Sequence, residues 1–189
     1  MNEWIEFYRK YINCPNLERE IEKCMELHSE MPEFNARRMM LQCKRLVDIS
    51  LAQENATENS GALKLFFLIV LAENSAKFYD DYDGDGESKK YVRKFFQEMM
   101  PENCKNFLKI NLTVQDKPVN IRHSVDFLYS VRCDVAQEGM YYRFHFKDCD
   151  YSLIVQAGEL MASNNIRYDE LVKIIVITAY VSIKNKLGI

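Results

Sequence analysis

The chain has 189 residues, 48% of them hydrophobic and 28% charged, with a formal net charge of −3. These values describe a weakly acidic globular protein with enough apolar material for a sizeable core, and they argue against a broad electrostatic grip on nucleic acid. The longest apolar runs, LKLFFLIVLA at 63–72 and LVKIIVITAYVSI at 171–183, fall short of the roughly 18 residues that a membrane span needs.

The start MNEWIEFYRK is charged and aromatic, unlike a signal peptide. The six cysteines, Cys14, Cys24, Cys43, Cys104, Cys133 and Cys149, contain no CxxC pair and no zinc-knuckle spacing. Reduced thiols in a cytoplasmic protein, with no cofactor and no membrane contact, are the expectation.

Trp4, Phe7, Tyr8 and Tyr11 recur at helical spacing, which predicts an amphipathic helix over 2–13 that Pro15 ends. A second helix over 16–30 aligns Leu17, Ile21, Cys24, Met25 and His28. Pro32 closes it and opens a third, whose Met39, Met40, Cys43, Leu46, Val47 and Ser50 read as core filling. The polar stretch AQENATENSG at 52–61 separates an N-terminal helical segment, 1–55, from a helical domain over 60–189. The two are expected to form one compact unit.

Ser60 is placed to cap the next helix, 62–79, which is apolar on most of its surface and therefore expected at the centre. A helix over 88–99 turns Val92, Phe95, Phe96 and Met99 inward and stops at Pro101. Residues 104–118 are ambiguous, because Ile110, Leu112 and Val114 alternate as in a short strand. A helix over 119–137 follows, with Gly139 as its C-terminal cap. RFHFK at 143–147 and YSLIVQ at 151–156 predict a β-hairpin. The last helix, 168–187, has Asp169 and Glu170 near its start and Lys184 and Lys186 near its end, which complements its dipole. The predicted fold class is an all-α helical bundle with a small β-hairpin before the C-terminal helix.

Asp81, Asp83, Asp85 and Gly86 match the first half of an EF-hand loop. Calcium takes six to eight oxygens, and the loop normally closes with a bidentate glutamate at position twelve. Here that position is Val92. A solvated acidic turn is the expected reading, with weak cation binding by the three aspartates as the alternative.

The segment DFLYSVRCDVAQEG at 126–139 resembles the signature of HEPN-domain proteins, LY-x-x-R-x-x-x-x-H-x-G late in a helix. Leu128, Tyr129, Arg132, Glu138 and Gly139 fall in place, and Gln137 stands where the histidine belongs. The order of elements extends the resemblance over residues 60–187, while residues 1–55 match nothing in it. The resemblance implies a homodimer whose paired motifs line one cleft, metal-independent RNA cleavage, and a setting in defence or toxin–antitoxin systems with an antitoxin or other protein partner. Arginine would hold the scissile phosphate, for which its rigid fork of donors is suited. Histidine would move a proton near neutral pH.

An amide at 137 does not titrate in water, and acid–base catalysis typically contributes about 10²–10⁴-fold. The expectation is therefore a degenerate site on a regulatory, RNA-binding or defence component. The alternative is an active endonuclease that pairs Arg132 with a displaced histidine, His145 or His123. Arg122 and Arg143 join Arg132 as candidate phosphate contacts. Arg132 also has a plain structural reading, as the partner of a buried carboxylate on Glu73 or Asp134. A third reading, from another class, is an interaction module whose helices bind another protein.

Overall fold

A computed structural model describes residues 2–55, 60–114, 117–147, 153–157 and 160–189. It comprises α1 (Asn2–Arg9), α2 (Leu17–Met25), α3 (Phe34–Ala52), α4 (Gly61–Tyr79), α5 (Ser88–Lys94), α6 (Glu102–Asn111), β1 (Leu112–Val114), β2 (Lys117–Pro118), α7 (Ile121–Cys133), β3 (Leu153–Ala157), β4 (Leu160–Asn164) and α8 (Tyr168–Leu187). The fold is an all-α bundle with a small antiparallel sheet before the last helix. Among the described residues no helix is long and apolar enough to cross a membrane.

α4 is the axis of the bundle. Its buried residues, among them Leu65, Leu68, Ile69, Leu71, Ala72 and Ala76, cover more than one face, as expected for a helix packed on several sides. It runs against α3, α5, α7 and α8. α3 buries the stripe read from its sequence: Met39, Met40, Cys43, Leu46, Val47 and Ser50. The N-terminal helices share this core. The Tyr8 hydroxyl donates to the Met40 carbonyl at 3.0 Å, the Tyr180 hydroxyl donates to Glu20, and the Tyr168 hydroxyl donates to Ser50 Oγ at 2.9 Å. Residues 2–55 and the remainder thus form one hydrophobic cluster.

Two helices end in wide turns. α5 continues as a π-helical turn over Phe95–Met99, and α7 does so over Asp134–Glu138. The second closes on Gly139 at φ 64, whose N–H donates to the Asp134 carbonyl. That left-handed cap is the one its sequence predicts.

The sheet has strand order β2-β1-β4-β3. The hairpin lies one strand later than predicted. β3 pairs with β4, with Val155 opposite Ala162, and β1 joins through Thr113 opposite Ser163. Residues 143–147 form no strand. They are a strap, held by Lys147 N–H to the Ile166 carbonyl at 2.8 Å and by Asn164 Nδ2 to the His145 carbonyl at 2.8 Å. Residues 148–152, which the prediction assigned to the turn and the start of its second strand, lie outside the described residues together with Cys149. The ambiguous stretch resolves into α6 followed by β1.

Candidate functional site

α7 is started by Asn120, whose side chain accepts from the His123 N–H at 2.9 Å. Its inner face, Val125, Leu128 and Val131, packs into the core. Arg132 comes two residues before the wide turn and leans onto α4, within 5.8 Å of the Phe66 and Tyr129 ring centroids.

At that contact Glu73 is the centre of a polar cluster. Glu73 as a whole is 7% exposed. It accepts from Ser88 Oγ at 2.8 Å and pairs with Lys77 Nζ at 2.9 Å and with Arg132 at 3.8 Å. Arg132 Nε is buried and has no hydrogen-bond partner among the described residues. Burial pushes the neighbouring Tyr129 hydroxyl up from its ordinary value. Cys133 and Glu73 push the same way, and Arg132 opposes them.

Six residues earlier on α7, Asp126 accepts a two-pronged contact from Arg93, at 2.9 and 2.7 Å, and lies 3.7 Å from Lys89. Burial works against its ionisation. The Arg93 fork, helped by Lys89 and Arg122, outweighs that and holds the carboxyl below its ordinary value.

Gln137 sits in the wide turn, exposed. In a regular α-helix a residue five positions on would be rotated well away, by about 140° at 3.6 residues per turn. The wide turn over Asp134–Glu138, with its i→i+5 hydrogen bonding, replaces that regular geometry between Arg132 and Gln137. No side-chain hydrogen bond joins Gln137 to a described residue.

The remaining candidates are dispersed. His123 is exposed at the far end of α7, nine residues from Arg132, hence about 13 Å along the axis and on the opposite face. Arg122 is its exposed neighbour. Arg143 lies in the strap, with its guanidinium 5.9 Å from the Tyr142 ring. His145 faces a separate cleft of about 440 Å³ at the N-terminal ends of α4 and α8, lined also by Lys64, Lys147, Arg167 and Tyr168. Its ring Nε2 lies 3.0 Å from the Tyr142 carbonyl. Arg132 lies in the last turn of α7 and Gln137 in the wide turn that follows it, while His123 lies at the other end of the helix.

Sequence reasoning did not find Ser88 and Lys77 as partners of Glu73. The i,i+4 spacing of Glu73 and Lys77 was the available signal. The aspartate loop gathers no ligand set. Asp81 is held by Lys186 at 2.7 Å and Asn35 at 2.6 Å, and among the described residues no group of three or more His, Cys, Asp or Glu side chains is arranged to hold a metal ion. Cys24 and Cys43 are buried thiols pushed by that burial up to about 12, far from the thiolate form that a nucleophile needs.

The fold and this cluster define a helical bundle whose motif arginine is tied to a carboxylate of its own chain. No protein family, curated protein or solved structure matches the chain.

Proposed function

We propose that this chain is a HEPN-like protein with a degenerate ribonuclease site, a homodimer that acts by binding rather than by cleavage, as a regulatory or defence component. The observation that carries this reading is the state of Arg132. Its guanidinium faces Glu73 within one subunit, and the position that should supply a proton carrier is an exposed amide. A half-buried arginine facing a carboxylate at that distance serves packing and charge balance before it serves a phosphate. The order of the elements around the motif supports the family resemblance.

The test is RNA cleavage without divalent metal. Wild-type protein is expected to leave tRNA and total RNA intact. Gln137→His, which restores a titratable group, is expected to introduce cleavage that Arg132→Ala removes again. Cleavage by the wild type that Arg132→Ala abolishes would instead establish the active-endonuclease reading with a displaced histidine. A Gln137→His protein that folds and cleaves nothing counts against the nuclease relationship. Light scattering at micromolar concentration checks the dimer, and a monomer would remove the shared cleft.

A further inference from the structure

α3 carries two stripes. The buried one points into the core, and the other, formed by Arg38, Leu41, Gln42, Arg45 and Ile49 at three-, four- and seven-residue spacing, lies on the opposite side. Trp4 from α1 and Phe78 from α4 wall this second stripe, leaving a groove of about 590 Å³. Leu41 and Ile49 are half-buried and form its apolar floor.

The groove is basic in an acidic protein. It contains Arg38, Lys44 and Arg45 against the single carboxylate of Asp48. Lys44 is committed to Asp48 at 2.6 Å and Glu3 at 3.8 Å. Among the described residues Arg38 donates only to the Asn35 amide oxygen, at 3.1 Å. Arg45 is exposed and has no partner among the described residues. Two guanidiniums are therefore available, seven residues apart on one face, a separation of about 10 Å along the axis.

We infer that this groove docks an acidic amphipathic helix of a partner protein. Carboxylates at heptad spacing on a helix lying along α3 recur at the same interval as Arg38 and Arg45, and the apolar residues between them would meet Leu41, Ile49, Trp4 and Phe78. Single-stranded nucleic acid fits less well, because it needs bare ring faces for base stacking. The Phe78 ring already carries Arg38 at 4.1 Å, and Trp4 carries Lys44 at 5.2 Å. A guanidinium stacked on a ring keeps its edge free to grip a carboxylate. No groove residue belongs to the Arg132 motif, so this inference stands apart from the ribonuclease-relative reading.

The experiment uses the full chain and a labelled synthetic helix of about 18 residues, long enough to follow α3, with glutamates at heptad positions and leucines between them. Trp4 is the only tryptophan, so its emission reports occupancy of the groove alongside anisotropy of the label. Saturable binding is expected, weakening with salt, and a scrambled peptide of equal composition should bind at least about ten-fold more weakly. Arg45→Glu, at an exposed and unpaired position, should weaken binding by about ten-fold or more with an unchanged circular dichroism spectrum, and Arg38→Glu/Arg45→Glu further. Equal binding of the scrambled peptide, an unaffected Arg45→Glu, absence of saturation, or displacement of the peptide by a single-stranded RNA of higher affinity would each overturn the inference.

Discussion

Arg132 faces Glu73 across the α4–α7 contact at 3.8 Å, and both sit in a setting where neither charge is well hydrated, with side-chain exposures of 22% and 9%. The two are not equivalent. Glu73 also holds Lys77 and Ser88, whereas Glu73 is the one anion within ion-pair distance of Arg132 among the described residues. Removing Arg132 leaves the carboxylate with a cation and a hydroxyl. Removing Glu73 strands two half-buried cations.

Glu73→Ala is therefore expected to cost about 2–4 kcal/mol and Arg132→Ala about 1–2 kcal/mol, below the full penalty for breaking a buried pair because both cations keep some solvent. Urea unfolding followed by circular dichroism gives the order. If Arg132→Ala is the more damaging change, the anchoring role assigned to Glu73 is wrong.

Asp126 gives a pH-dependent counterpart. Its folded-state carboxyl is held below the ordinary value despite burial. A depressed folded value means that the stabilisation is complete above the unfolded value, about 3.9 for aspartate, and is lost as pH falls through the folded value. Asp126→Asn should thus be less stable than wild type at pH 7, by about 1–2 kcal/mol for a partly exposed, charge-assisted contact. The gap should narrow as pH drops below about 4. Paired unfolding curves from pH 7 to pH 3 check this, and a gap that widens toward acid contradicts it.

Long amphipathic patterns were legible in the sequence, because over 19 or 20 residues the 3.6-residue period has few competitors. The core stripe of α3 followed from it, whereas α4 and α8 were legible as long apolar runs between polar boundaries. α6 was not legible. Only Cys104 and Leu108 are buried on it, and Ile110 at its end is 63% exposed, so alternation across the helix–strand junction imitated one strand.

The hairpin was misplaced for a similar reason. In RFHFK the alternation reflects Phe144 plugging the core, 1% exposed, beside a strap. The true partner strand, LMASN, is poor in β-branched and aromatic residues. The Gly158–Glu159 pair between the two strands is a hairpin signal that the sequence did contain. Glu73 was named as a partner for Arg132 because a carboxylate inside an apolar helix needs one. What pattern could not supply was the wide turn after Cys133, because the residues of DVAQE carry no periodic signal that separates it from a regular helix end.

The strap over 143–147 gives the last prediction. A Cβ on Gly61 would lie 2.6 Å from the Phe144 carbonyl oxygen and 3.1 Å from His145 Cα. Helix propensity alone favours alanine over glycine by up to about 1 kcal/mol, so a Gly61→Ala change in an open position would stabilise. Here the obstacle is backbone, and that backbone is anchored on its C-terminal side, at the His145 carbonyl by Asn164 and at the Lys147 N–H by the Ile166 carbonyl, so it cannot swing aside without straining those bonds. Overpacking of this kind costs about 1–3 kcal/mol, which outweighs the propensity gain. Gly61→Ala should lower the urea midpoint and, by pushing the strap outward, increase amide exchange at Lys147. An unchanged or higher midpoint would mean that the strap yields freely and that α4 is not what fixes it.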